Sequence, residues 1–154
     1  VDVFASYVKE VPEARMVILG GGEERLAVED KIASLGLSDK IILLGIRSNV
    51  ARFYSLFDVF FMPSLYEGLP ISAVEAQASG LRCVFSTGVP AESDITGSGR
   101  FVGLDRLFGE WISALSDALA EGRDDEAAKK LALAGYSAET NAEKMMEFYE
   151  RLVR

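Results

Sequence analysis

Four short runs of uninterrupted apolar residues constrain this chain more than any other feature: Met16-Val17-Ile18-Leu19, Ile41-Ile42-Leu43-Leu44, Val59-Phe60-Phe61-Met62 and Cys83-Val84-Phe85. Each is too short for a helix, and none alternates with polar residues as a strand with one wet face would. Between them the apolar residues fall at helical spacing. Val28, Ile32 and Leu35 form one such set, stopped by Gly36. Val50, Phe53, Tyr54 and Phe57 form a second, capped by Ser48 or Asn49. Ile71, Val74 and Ala78 form a third, expected to pack on the sheet. Ahead of the first strand, Val3, Phe4, Tyr7, Val8 and Val11 predict a helix that ends at Pro12. Strands apolar on both faces, alternating with amphipathic helices, predict a parallel sheet covered on both sides. The fold class is α/β, a doubly wound, Rossmann-like sheet.

After Pro90 the pattern loosens into an acidic, polar loop from Glu92 to Gly99 and a short edge element near Phe101-Val102. Leu107, Trp111, Leu115 and Leu119 then form a helical stripe. Asp124/Asp125 and Gly135 bracket a short helix, and Met145, Met146, Tyr149, Leu152 and Val153 give the last helix two apolar sides. At 154 residues the chain reads as one domain with no internal repeat.

Charge and residue usage narrow the chemistry. A net charge of −8 argues against nucleic acid, which wants a basic face, and gives no support for docking on an anionic membrane. No apolar run approaches a membrane span, and the N-terminal residues do not resemble a signal peptide. Cys83 is the only cysteine and sits in an apolar run, so it reads as a core residue in a reducing compartment, the cytoplasm. There is no histidine, the commonest metal ligand and acid–base group. Any chemistry must therefore use carboxylates, amides and the ligand's own groups.

The stretch that concentrates such groups is Tyr66-Glu67-Gly68-Leu69-Pro70-Ile71-Ser72-Ala73-Val74-Glu75-Ala76, directly after the third apolar run and Pro63-Ser64. Gly68 allows a turn, and Pro70 suits a first helical position because its missing N–H would have no partner there. A helix N-terminus at the carboxyl end of a parallel strand binds phosphorylated ligands. Glu67 and Glu75 bracket it, with Glu75 about 7.5 Å along the axis from Pro70 at ~1.5 Å per residue. Carboxylates accept from sugar hydroxyls, so the layout suits hydroxyls at both ends of a ligand and phosphates between them. A nucleotide sugar has that form.

Glu67, seven intervening residues, then Glu75-Ala76-Gln77-Ala78-Ser79-Gly80, with Asp58 to Ser64 before and Ser86 to Pro90 and Glu92 after, resembles the signature of the family 4 retaining glycosyltransferases. The likeness is greatest to bacterial capsular and exopolysaccharide enzymes, and it covers their C-terminal, donor-binding domain, the C-terminal half of a two-domain (GT-B) architecture. It implies transfer of a sugar from a nucleoside diphosphate donor to a glycan or lipid-linked acceptor without a cofactor or metal. Glu67 is then the catalytic residue, contacting hydroxyls of the transferred sugar, and Glu75 holds the ribose. Backbone groups of Gly68, Leu69 and Ile71 beside Pro70 approach the diphosphate. Main-chain groups of Ile46 and Arg47, after the second strand, and of Gly21 and Gly22 face the base. By itself the run Gly20-Gly21-Gly22-Glu23-Glu24 predicts only a tight strand-to-helix turn, because it lacks the third dinucleotide-binding glycine and its acids would repel phosphate. Glu92 and Asp94 are not assigned to catalysis.

The resemblance also implies missing parts: the domain's first strand, an upstream loop whose Arg and Lys neutralise the diphosphate, and the N-terminal acceptor-binding domain. The chain is accordingly expected to be part of a larger glycosyltransferase, inactive alone. Membrane contact, peripheral and on the inner face, would come only through the missing domain. The last helix would cross to that domain or, without it, favour self-association. The competing expectation is a non-catalytic α/β nucleotide-binding or interaction module; a GT-B-like epimerase would be expected to use histidine.

Overall fold

The computed structural model describes residues 1–153. Five strands and seven α-helices follow in the order α1 (Asp2–Glu10), β1 (Met16–Leu19), α2 (Arg25–Ser34), β2 (Ile41–Gly45), α3 (Val50–Tyr54), β3 (Val59–Met62), α4 (Ile71–Ala78), β4 (Arg82–Ser86), β5 (Arg100–Val102), α5 (Phe108–Glu121), α6 (Ala127–Leu133) and α7 (Ala138–Leu152). Every strand pairing is parallel. β1 lies on β2 with Met16 opposite Ile41, and the register slips between Ile18 and Leu19. β3 lies on β4 with Val59 opposite Arg82, and β4 on β5 with Val84 opposite Arg100.

Side chains alternate between two cores, as the two-residue period of a strand requires. Val84 of β4 joins Phe4 and Tyr7 of α1 and Trp111, Ile112 and Leu115 of α5 on one face, where Val59 and Phe61 of β3 also pack. Cys83 and Phe85 face the other way, against Tyr54 of α3 and Ala73 and Ala76 of α4, where Phe60 and Met62 pack. Trp111 meets Phe61 edge-on at 5.4 Å between ring centres. Cys83 is buried in this core, and that burial pushes its thiol up, away from the ionised form.

Three expectations need correction. The sheet is not one continuous ribbon: β1–β2 and β3–β4–β5 are separate ladders. β1 and β3 are apolar throughout yet half-buried at every residue, whereas β4 is buried from Cys83 to Ser86. Among the described residues, the two half-buried strands each lack a hydrogen-bonded neighbour on one side. Second, α4 does not pack through Ile71, Val74 and Ala78. Its inner face is Ala73, Ala76 and Gln77, and Ile71 is 72% exposed. Alanine lets the helix axis approach the sheet more closely than branched side chains do, so the small residues win the buried face. The same closeness recurs at Gly80, which ends the turn at φ +78° with a Cβ position only 3.0 Å from the Asp124 carbonyl. Third, α5 buries Trp111, Ile112, Ala114, Leu115 and Ala118, while Leu107 precedes the helix and lies exposed.

Candidate functional site

Within each ladder the strands run the same way, so the loops after β1 and β2 open on one end of the first ladder and those after β3 and β4 on one end of the second. The residues marked out by the sequence gather at these ends in two groups. The first comprises Gly20 to Gly22 after β1 and Gly45 to Arg47 after β2. The Gly20 amide donates to the Gly45 carbonyl at 3.0 Å, and a Cβ on Gly21 would meet the Ile46 side chain at 3.4 Å. Gly20 at φ +130° and Gly45 at φ +70° make the turns that only glycine takes without strain. The glycine run is the strand-to-helix turn read from sequence, since α2 begins at Arg25. A mostly apolar cleft of about 270 Å³ lies here, lined by Ile18, Leu19, the three glycines, Val28 and Leu43 with Glu24 and Arg25. Ile46 and Arg47 are exposed at its side.

The second group surrounds the start of α4. Pro70 is the N-cap rather than the first helical residue, with extended backbone at φ −73°, ψ 111°. Its carbonyl accepts from the amides of Ala73 at 3.0 Å and Val74 at 3.4 Å. The Ile71 and Ser72 amides therefore precede the first intrahelical bond and point outward with the positive end of the helix dipole. Gly68 and Leu69 are exposed just before this turn.

Glu67 is half-buried and accepts from the Ser64 hydroxyl at 2.7 Å, while its amide donates to the Gly88 carbonyl at 3.0 Å. Glu75 is exposed, but it is not free to wander: the Tyr54 hydroxyl donates to its Oε2 at 3.1 Å. Tyr54 is 2% exposed. Its burial first, and then the neighbouring carboxylate, push its phenol well above the ordinary range, so it stays a donor. Ser64, Tyr54 and the β4 loop were not marked as site residues from sequence. A tyrosine at a core-facing helical position reads as packing, and only the fold reveals that its hydroxyl reaches the next helix.

Both carboxylates thus stand as oriented hydrogen-bond acceptors on either side of outward-pointing amides, beyond the carboxyl ends of the parallel strands β3 and β4. This is the architecture of the Rossmann-like domain of GT-B glycosyltransferases. The sequence profile of the family described as "Glycosyl transferases group 1" matches residues 1–149, and the chain belongs to that family. EpsF of Bacillus subtilis (strain 168) is 33% identical over 138 residues, which are 88% of this chain and 36% of that protein. The lipopolysaccharide core biosynthesis mannosyltransferase LpsB of Rhizobium meliloti (strain 1021) is 31% identical over 136 residues, 82% of this chain and 38% of that protein. Among solved structures, the pneumococcal O-GlcNAc transferase GtfA in complex with UDP and GlcNAc superposes with a TM-score of 0.72 at 22% identity, over 99% of this chain and 32% of that one. The chain spans a little over a third of the length of these two relatives. No helix among the described residues is long and apolar enough to cross a membrane.

Proposed function

We propose that the chain is the donor-binding domain of a retaining glycosyltransferase that moves a sugar from a nucleoside diphosphate sugar to a glycan or lipid-linked acceptor. One observation carries the reading: two carboxylates, each oriented by a hydroxyl donor, flank the amides that open α4. Glu75 takes the ribose hydroxyls. Glu67 takes hydroxyls of the transferred sugar and favours the positive charge that develops on it. The amides of Gly68, Leu69, Ile71 and Ser72 stabilise the departing diphosphate. The cleft at Gly21 and Gly22 takes the base, with the Ile46 and Arg47 main chain beside it. A UDP complex in a protein of the same fold supports a nucleotide ligand.

In this reaction the acceptor hydroxyl attacks the anomeric carbon on the face from which the diphosphate leaves. The bond from that carbon to the phosphate oxygen breaks, its electron pair goes to the diphosphate, and a phosphate oxygen takes the acceptor's proton. The protein's part is positioning and electrostatics; a metal has no role in the proposal. The proposal includes a strand between β1 and β3, supported by their half-buried apolar residues, and an N-terminal acceptor domain in the parent protein. That domain would carry any peripheral contact with the inner face of a membrane in the cytoplasm. Met145, Met146, Phe148 and Tyr149 of α7, all exposed, form the surface for it or, in its absence, for a second copy.

The test is calorimetric titration of UDP, GDP and ADP into the parent protein, wild type and Glu75→Ala. A hydrogen bond to a charged group contributes ~1.5–3 kcal/mol, and the exposure of Glu75 puts it at the low end, so about a tenfold loss of affinity is expected. Binding of none of the three, or an unchanged Glu75→Ala variant, would reject the donor site.

A further inference from the structure

We propose that Ser86 and Gly88, on the loop after β4, are positioning residues that set the Glu67 carboxylate. The inference rests on the reading of Glu67 as a sugar-contacting acid. The ladder between β3 and β4 ends at Met62 opposite Phe85, yet the two chains stay joined beyond it. The hydroxyl of Ser86, a residue with no exposed surface, donates to the Ser64 carbonyl. The Gly88 amide donates back to that hydroxyl at 3.2 Å. The Gly88 carbonyl accepts from the Glu67 amide at 3.0 Å, and the Ser64 hydroxyl donates to Glu67 Oε1 at 2.7 Å. These four hydrogen bonds close a ring from the β3 loop to the β4 loop and back to the carboxylate.

Hydrophobic packing does not hold this loop. Leu65 and Tyr66, the two large residues between Ser64 and Glu67, are 86% and 83% exposed. The ring is thus the principal restraint on where Glu67 sits. Gly88 is required for closeness rather than for its dihedral angles, since its φ is not positive. A Cβ there would lie 2.3 Å from the Leu65 carbonyl oxygen and 2.7 Å from that of Ser64. Both are backbone atoms, so any side chain at 88 must push the Glu67 loop outward.

The experiment compares Ser86→Ala, Gly88→Ala, Glu67→Gln and the Glu67→Gln double variants in the parent protein. Readouts are transfer kinetics with the donor whose nucleotide binds, affinity for that nucleotide alone, and hydrogen exchange over residues 64–70. Ser86→Ala should lower kcat about tenfold and Gly88→Ala about a hundredfold, the cost of a displacement near 1 Å. Nucleotide affinity should fall by less than about fivefold, because the base and ribose contacts lie elsewhere and only the Gly68 and Leu69 amides ride on the displaced loop. In the Glu67→Gln background each should cost less than a further twofold or so, since both act through the same carboxylate. Exchange at the Glu67 amide should quicken about tenfold in Ser86→Ala. Losses that multiply in the Glu67→Gln background, or exchange that does not change, would overturn the proposal. If Glu67→Gln itself transfers like wild type, the sugar-contacting reading fails instead, and exchange alone still decides whether the ring fixes the loop. If Gly88→Ala does not fold, Ser86→Ala, which adds no atoms, carries the test.

Discussion

Tyr54→Phe isolates the bond that orients Glu75. The ring keeps its edge contacts with Phe57 and Phe60, whose centres lie 6.5 Å and 6.2 Å away, so no cavity opens. What is lost is one hydrogen bond to a carboxylate. At 3.1 Å it is longer than a strong hydroxyl–carboxylate bond, and water can reach the exposed Glu75 to replace it. The stability cost should therefore be about 1 kcal/mol, a fall of roughly 2–4 °C in Tm for a chain of this size. Nucleotide affinity should also fall, because an untethered glutamate must be ordered on binding; about 1 kcal/mol of side-chain entropy is about fivefold in Kd. A pH series adds an independent check. The folded state holds Tyr54 protonated above its ordinary value of 10.0, while the unfolded chain loses the proton there. The Tyr54 contribution is therefore full below pH 10 and declines as pH rises above it, so the alkaline decline, to which the raised Cys83 thiol also contributes, should be shallower in Tyr54→Phe. The assay is titration calorimetry and thermal melting of the parent protein carrying Tyr54→Phe, Glu75→Ala and both. An equal affinity loss from Tyr54→Phe with and without Glu75 would refute the reasoning, because the hydroxyl would then act by another route.

Gln77 is 1% exposed and gathers the Ser93–Thr96 loop, donating to the Ala73 and Ser93 carbonyls and accepting from the Ile95 and Thr96 amides at 2.7–3.0 Å. Gln77→Leu should cost roughly 2–4 kcal/mol in urea unfolding, since a similar volume leaves those groups unpaired. Lys130, 2.7 Å from Asp124, holds the Asp124 carboxyl below its ordinary value of 3.8. That stabilisation is full above about pH 4 and is lost as pH falls through the lowered value, so Asp124→Asn should flatten the acid limb of a stability–pH curve. Met146→Glu with Tyr149→Glu touches no buried residue of α7. It should change stability by under about 0.5 kcal/mol and abolish concentration-dependent association in sedimentation; association that persists would place the contact elsewhere.

Apolar runs and glycine positions were legible along the chain because they report local requirements. Runs such as Val59 to Met62 are satisfied in a strand covered on both faces, and Gly36 and Gly135 stand where helices end and backbones turn. The acids at 67 and 75 were visible because their spacing around Pro70 is itself local. The inner face of α4 was misread because Ile71 is more apolar than Ala73, but closeness of approach to the sheet, which no one-dimensional pattern encodes, chose the alanine. Likewise, Ser86, which ends a buried strand, and Gly88 two residues later stood in the sequence only among the flanks of the signature. Only the tertiary structure placed Ser86 and Gly88 against Ser64 and Glu67, across 20 or more residues of sequence. Periodicity determined which elements form and which edge carries the acids. Packing of one strand loop on the next decided how those acids are held, because hydrogen bonds between loops depend on distances that exist only once the sheet has formed.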